Sequence, residues 1–185
     1  DMAVICVPVH LVSQVIADCI QKKVKVAVII SAGFSEMGTA GKQLQEKIVR
    51  QCHGKIRVIG PNCLGIINSA LHLNATFAPT MPPPGQIAFI SQSGALADSI
   101  IDWALLNEFG FSVIASYGNQ ADLTAEDFLE ALEHDPHTKV ITLYLEGLKD
   151  GRRFMNIASR VNRKKPIVVL KAGKTSAGMH AVQSH

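Results

Sequence analysis

A short stretch of small and hydroxyl-bearing residues, SQSGA at positions 91–95, has the composition of a phosphate-binding turn. The residues before it, from Ile87, have strand propensity, and the apolar residues after it recur at helical spacing. Ser93 is suited to cap the helix, and Gly94 allows a ligand to approach the backbone. Such a helix start directs free N–H groups and the positive dipole end at one point, which favours phosphate. An ordinary β-turn-α unit explains this segment alone equally well.

The elements around this turn alternate between buried strands and amphipathic helices, which predicts an α/β fold. Strands are expected at 3–9, 24–30 and 55–59, with helices at about 11–22 and 39–52. Residues 66–85 contain asparagines and a Pro-Pro-Pro-Gly run, and we expect a covering segment and a linker there. The alternation then resumes as far as residue 171. The pattern predicts two doubly wound parallel-sheet units, residues 1–80 and 85–185, with ligand loops at the strand ends.

Composition excludes several classes of protein. Apolar residues make up 48% of the 185 residues, so a buried core is expected. A net charge of +3 without a basic run, and only 5% aromatic residues, argue against nucleic acid. No apolar run approaches the roughly 20 residues that span a bilayer. Neither a zinc-finger spacing nor a CxxC pair is present, so we expect no metal site and reduced cysteines in a cytoplasmic protein.

Seven segments occur in an order that resembles the nucleoside-diphosphate-forming acyl-CoA synthetases. This superfamily contains the succinyl-CoA synthetase α subunits and the ADP-forming acetyl-CoA synthetases. The resemblance covers essentially the whole chain and implies an incomplete CoA-binding Rossmann-like domain followed by a flavodoxin-like ligase domain. The segments are SAGFSE, GPNCLG, FISQSGAL, SYGNQADL, LYLEGLKDGRRF, KPIVVLKAGKT and a final Ser-His pair.

The resemblance implies that His185 is the histidine that carries a phosphoryl group. A neutral imidazole is a good nucleophile near neutral pH and releases its phosphoryl group readily. Without the resemblance, His185 has no preference over His180. Glu146 would accept a hydrogen bond from the other ring nitrogen, although a loop carboxylate before a helix is its alternative interpretation. The helix start that faces the phosphohistidine corresponds to Ser91, Ser93, Gly94 and Ala95.

Two loops of the first unit resemble those that line the pantetheine and thioester region of CoA. The asparagine of GPNCLG can hydrogen-bond amides or the acyl group, and the glycines allow close approach of the backbone. Cys63 would lie near the CoA thiol, or it simply fills space. Asn119 and Asp122 resemble a loop bordering the site, and we expect a structural role for them. The predicted CoA-binding residues are Ser31, Gly33, Pro61, Asn62 and Cys63.

The implied reaction joins a small, acetate-like carboxylate to CoA, with ATP converted to ADP and phosphate. ATP/ADP and Mg²⁺ would bind an ATP-grasp domain or subunit outside this chain, so we expect an oligomer and an inactive isolated fragment. Two alternatives stay open. One is the regulatory acyl-CoA-sensing region of a protein lysine acetyltransferase. The other is a flavodoxin-like binding protein for a different nucleotide.

Overall fold

A computed structural model describes residues 1–173 of the chain. Within that range the chain alternates strands with helices, and a 3₁₀ turn at Ser35–Met37 follows the second strand. The strands are β1 (Met2–Ile5), β2 (Val26–Ile29), β3 (Arg57–Ile59), β4 (Gly65–Asn68), β5 (Leu73–Thr76), β6 (Pro84–Ser91), β7 (Phe111–Ser116), β8 (Val140–Leu145) and β9 (Ile167–Lys171). The helices are α1 (Val9–Gln21), α2 (Thr39–Cys52), α3 (Gly94–Leu106), α4 (Ala125–Glu133) and α5 (Gly151–Val161).

The strands form two sheets. The first contains β1, β2 and β3 in that order, all parallel. The second has the order β5-β4-β7-β6-β8-β9, and its β7, β6, β8 and β9 are parallel. All six residues of β7 are buried, as are the last four of β6, which is typical of strands covered on both faces. The predicted α/β class with two mainly parallel sheets is confirmed.

Residues 66–85 differ from the expected covering segment and linker. Strands β4 and β5 form an antiparallel hairpin within this stretch, and β4 also pairs antiparallel with β7. Ile67 lies directly opposite Ile114 of β7 and is fully buried. The hairpin therefore extends the second sheet at its edge, because pairing with β7 buries apolar residues of β4 such as Ile67.

Three apolar clusters form the core. Helices α1 and α2 cover one face of the first sheet through residues such as Ile16 and Ile48. In the second sheet, α3 packs on one face, while α4 and α5 pack on the other. The cluster under α4 and α5 continues to Val28 and Ile59 of the first sheet, so the two sheets share apolar packing.

The loop that follows β7 joins the two sheets. Its backbone N–H groups at Asn119, Ala121 and Leu123 donate to the carbonyls of Pro61, Gly60 and Val58, at distances of 3.0 to 3.1 Å. The Asp122 carboxylate accepts the Val58 N–H at 2.8 Å and Arg57 Nε at 2.9 Å. The bonds attach this loop to β3 and to the residues that follow it. The two bonds of Asp122 fit the structural role expected for that residue.

Helix starts and ion pairs explain several charged residues of the second unit. Asp150 caps α5 by accepting the Arg153 N–H at 2.9 Å, and the Arg153 guanidinium pairs with Asp127 at 3.2 Å. The Arg153 side chain of α5 therefore forms an ion pair with the neighbouring helix α4.

Every helix among residues 1–173 is too short or too polar to span a lipid bilayer.

Candidate active site

A cavity of about 920 Å³ opens where the strands of both sheets end. That volume is within the usual range of small-molecule sites, about 300–1,000 Å³. Because the carboxyl ends of parallel strands meet at one edge, loops far apart in sequence contribute to one wall. The cavity is lined by Ile30, Ala32, Ser35, Glu36, Asn62, Cys63, Leu64, Phe77, Gln92, Ser93, Gly94, Ala95, Asp98, Gly118, Asn119, Gln120, Glu146 and Gly147.

The start of α3 forms one wall of the cavity. Ser93 is the N-cap, and its Oγ accepts the Leu96 N–H at 3.2 Å. The Ser91 hydroxyl is fully buried and donates to the Ser93 carbonyl at 2.7 Å, so it braces the turn from behind. Helix geometry leaves the N–H groups of Gly94 and Ala95 without acceptors inside the helix, and both residues line the cavity. Two backbone donors are therefore available to an anion at this wall.

Glu146 also lines the cavity, directly after the end of β8, and its backbone is held from two sides. Its N–H and that of Gly147 both donate to Gln92 Oε1, the latter at 2.9 Å. Gln92 Nε2 donates to the Gly147 carbonyl at 2.9 Å. Lys171 Nζ donates to the Glu146 carbonyl at 2.9 Å. Lys171, a candidate phosphate ligand by its type, thus serves to hold this loop.

Asn119 connects three loops at the rim. Its Nδ2 donates to Glu36 Oε2 at 2.5 Å and to Gln45 Oε1 at 3.0 Å, and its Oδ1 accepts from Asn62 at 3.3 Å. Burial of the Glu36 carboxyl raises its pKa, but hydrogen bonds from Asn119 and from the Phe34 and Gly33 N–H groups outweigh burial. The net pKa is below the usual range, so Glu36 is an anion at neutral pH.

Cys63 lies in the cavity wall as a thiol. It is only 4% exposed, and its Sγ donates to the Ile29 carbonyl at 3.3 Å. Burial raises the pKa of Cys63 to about 12, so little thiolate is present at neutral pH. All four cysteines of the chain (Cys6, Cys19, Cys52 and Cys63) are free.

The loop after β3 has two uncommon backbone features. The Gly60–Pro61 peptide is cis, and Asn62 has a positive φ of 56°. Gly118 packs against this loop so closely that a Cβ there would lie 2.0 Å from the Asn62 carbonyl oxygen. A glycine is thus required at 118, since any side chain would push the two loops apart.

The structure brings most of the predicted site residues to one place. Asn62, Cys63, Ser93, Gly94, Ala95 and Glu146 line the cavity. Four others lie behind the wall. Ser31 donates to the Val7 carbonyl at 2.5 Å, and Gly33 packs against Val9. The Pro61 carbonyl accepts from Asn119, and Ser91 braces its own turn. His185 lies outside the described residues.

Residue patterns did not single out four cavity residues: Gln92, Glu36, Asp98 and Phe77. Asp98 lies one turn after Gly94, so it shares the cavity face of α3. Phe77 is 63% exposed at the cavity, an unusual position for an aromatic ring. For Gln92 and Glu36 the available signal was position, because each lies in a segment that follows a strand of a parallel sheet. Asp98 lies inside α3 and Phe77 follows the edge strand β5, and no pattern marked them.

The charge of the cavity is acidic. Glu36, Asp98 and Glu146 contribute carboxylates, and among residues 1–173 no lysine or arginine lines it. An anion would therefore be held by backbone N–H groups, and a cationic group would be favoured between it and the carboxylates. The described part of the chain has no cluster of three residues of the types that hold a metal ion.

Comparisons with known proteins find relatives over the whole chain. The family described as succinyl-CoA ligase like flavodoxin domain matches residues 84–185. Acetate–CoA ligase [ADP-forming] I subunit alpha of Pyrococcus furiosus is 47% identical over the whole chain, which spans 40% of that protein. Acetate–CoA ligase [ADP-forming] of Methanocaldococcus jannaschii is 48% identical over the whole chain, which spans 26% of that protein.

A solved structure has the same fold throughout. It is titled as dinucleotide forming acetyl-coenzyme A synthetase 1 of Ca. Korarchaeum cryptofilum in complex with phosphate and ADP. Its TM-score is 0.94 at 46% sequence identity, with all of this chain and 40% of that chain covered. The chain thus spans well under half the length of these relatives.

The fold and the match define a succinyl-CoA ligase like flavodoxin domain that follows a Rossmann-like sheet. The chain belongs to the ADP-forming acetyl-CoA synthetase family, within the nucleoside-diphosphate-forming acyl-CoA synthetases. The matched domain begins at residue 84, whereas the second sheet already includes the β4-β5 hairpin. The division into domains at residues 80–85 stays a prediction.

Proposed function

We propose that this chain is the CoA-binding and phosphohistidine-bearing part of an ADP-forming acyl-CoA synthetase. The observation that carries the proposal is the single cavity at the strand ends. It combines two helix N-terminal donors that have no acceptor inside the helix, the Glu146 carboxylate and the Asn62–Leu64 loop. Phosphoryl transfer depends chiefly on positioning and on donors aimed at the phosphoryl oxygens, and this wall supplies such donors.

Each wall of the cavity has a role in the proposed reaction. Gly94 and Ala95 donate their N–H groups to the phosphoryl oxygens, and Asn62 donates to the amides or the acyl group of the CoA substrate. Glu146 accepts a hydrogen bond from the imidazole of His185 and favours its cationic, phosphorylated form. Cys63 fills space, because its thiol is bonded to the Ile29 carbonyl.

The overall reaction consumes a small, acetate-like carboxylate, CoA and ATP. An acyl phosphate forms, and His185 takes or gives the phosphoryl group. The CoA sulfur then attacks the acyl carbon, the carbon–oxygen bond to phosphate breaks, and inorganic phosphate leaves. ATP/ADP with Mg²⁺ binds an ATP-grasp domain or partner subunit. The name of the Pyrococcus relative, a subunit alpha, and the ADP and phosphate of the Korarchaeum complex support this division of labour.

The test uses the complete natural polypeptide together with its ATP-grasp part. Beyond the one ADP released when His185 is phosphorylated, we expect continued ADP release from Mg-ATP to require both acetate and CoA, with acetyl-CoA formed in equal amount. Propionate and succinate in place of acetate define the acid that the enzyme accepts. Tight binding of acetyl-CoA without any acid-dependent ADP release would contradict the proposal and favour the acyl-CoA sensor.

A further inference from the structure

Gln92 links the two halves of the phosphoryl site. It lies between the strand β6 and the cap of α3, and it is only 7% exposed. Its backbone N–H donates to the Tyr144 carbonyl at 3.2 Å. Its side chain makes three further hydrogen bonds, accepting from Glu146 and Gly147 and donating to the Gly147 carbonyl. All four bonds go to the end of β8.

These bonds hold the backbone from which the Glu146 carboxylate extends. The Glu146 N–H is held by Gln92, and the Glu146 carbonyl is held by Lys171 Nζ. Because both of its peptide groups are hydrogen-bonded, the Glu146 backbone has little freedom to shift, and the position of its Cα atom is fixed. Gln92 also directly precedes the N-cap Ser93, so only one residue separates it from Gly94, whose N–H is the first of the two donors.

We propose that Gln92 is a positioning residue, which sets the Glu146 carboxylate at a fixed separation from the N-terminus of α3. This inference rests on the proposed function, because the separation matters only if a phosphorylated imidazole is held between the two. Gln92 needs no contact with the phosphoryl group for this role. Its amide is required as both acceptor and donor, since it accepts two N–H groups and donates to one carbonyl.

Two substitutions separate positioning from simple packing. Gln92→Met has similar length but leaves the N–H groups of Glu146 and Gly147 without their acceptor. Gln92→Glu can accept both N–H groups, but its ionised carboxylate faces the Gly147 carbonyl oxygen. Protonation of that carboxyl restores a donor toward the carbonyl. The rate of phosphoryl transfer in Gln92→Glu, relative to that of the wild type, should therefore increase as the pH falls. The relative rate of Gln92→Met should show no such increase.

The same strand provides a matched control. Gln86 is exposed near the other end of β6, and its side chain makes no hydrogen bond within residues 1–173. Gln86→Met makes the same chemical change away from the cavity, so we expect wild-type behaviour from it.

The experiment uses the complete polypeptide with its ATP-grasp part. We would measure the rate of acid-labile phosphate incorporation from Mg-ATP by rapid quench, CoA affinity by calorimetry and the thermal unfolding midpoint. Gln92→Met should slow incorporation at least tenfold, because a misplacement of about 1 Å at a reacting group can cost on the order of 100-fold. Its CoA affinity and unfolding midpoint should stay close to those of the wild type.

Two results overturn the inference while the proposed function stands. One is wild-type incorporation by Gln92→Met. The other is a parallel decrease of phosphate incorporation, CoA affinity and thermal midpoint in Gln92→Met, with no pH-dependent recovery in Gln92→Glu. That result would show that Gln92 only stabilises the fold. If the wild-type polypeptide binds CoA but incorporates no phosphate, the proposed function fails, and the inference fails with it.

Discussion

The Cys63 thiol lies beside the cavity but is held in an unreactive state. Its Sγ donates to the Ile29 carbonyl, and burial raises its pKa to about 12. We predict that iodoacetamide at mildly alkaline pH modifies the exposed Cys6 long before Cys63. Peptide mapping by mass spectrometry measures both rates in one sample.

Unfolded protein is the control for that experiment, since all four cysteines should then react. Cys63→Ala should also retain acyl-CoA formation, because the residue serves only to fill space. Labelling of Cys63 as fast as Cys6 in the folded protein, or loss of turnover in Cys63→Ala, would point instead to a thiol with a chemical role.

Glu36 makes the loop after β2 sensitive to acid. Its pKa is lower in the folded protein because hydrogen bonds from Asn119, Phe34 and Gly33 outweigh burial. A carboxyl group of this kind adds stability that is present above its unfolded pKa and is lost as the pH falls through the folded pKa. We predict that Glu36→Gln lowers the thermal midpoint at neutral pH and that this difference shrinks as the pH falls below the ordinary glutamate value of 4.5.

A suitable comparison is Glu108→Gln, since Glu108 is exposed and makes no hydrogen bond in the described part of the chain. Scanning calorimetry at several pH values reports both variants. A difference for Glu36→Gln that grows on acidification would have the wrong sign for a depressed pKa and would refute the assignment.

At the scale of elements, the start of α3 should act through its backbone. Ser93 has an extended conformation, with ψ at 121°, and this suits a residue that precedes proline. Proline is well tolerated at the first helical position, so Gly94→Pro should keep the helix but remove one N–H donor. We predict that phosphoryl transfer falls on the order of 100-fold, as when one oxyanion donor is lost.

Gly94→Ala is the matched variant, because it adds a Cβ at the same point and keeps the N–H. That Cβ would lie 3.3 Å from the Leu64 nitrogen, so a small shift accompanies both substitutions. The difference between the rapid-quench rates of the two variants gives the effect of removing the Gly94 N–H donor. Equal rates would show that the Gly94 N–H plays no part in transfer.

The regular elements were predictable because local patterns determine them. Continuous apolar runs identified the buried strands, and the capping residue Ser93 marked a helix start that the structure contains. The β4-β5 hairpin escaped prediction for a physical reason. Its strands have four residues each, and β4 is buried through its pairing with β7, as for Ile67 opposite Ile114. Such long-range pairing leaves little signal in a short segment.

At the scale of the whole molecule, the site depends on contacts between distant loops. Gln92 and Glu146 are 54 positions apart, and Asn119 and Glu36 are 83 positions apart. The residue pattern suggested the α3 start and the sheet edge at which the loops gather, and the resemblance suggested Glu146. Neither could show that Gln92 and Asn119 connect those loops, since amide side chains have no spacing rule of their own.

At the same scale, the proposed reaction involves more than this chain. The cavity is acidic and is lined by no lysine or arginine of residues 1–173, and the proposal places the nucleotide and its metal ion on an ATP-grasp part. The relatives are longer, and the Pyrococcus protein is named as one subunit of an enzyme. The central claim is that His185 carries the phosphoryl group between the two parts.

One measurement tests that claim most directly. The complete natural polypeptide with its ATP-grasp part is incubated with Mg-ATP, and intact mass spectrometry is used beside a His185→Asn variant. We predict one added phosphoryl group that is stable to base and labile to acid in the wild type, and none in His185→Asn. Absence of the phosphoryl group from a wild-type protein that still binds acetyl-CoA would contradict the claim and identify the cavity as an acyl-CoA sensor.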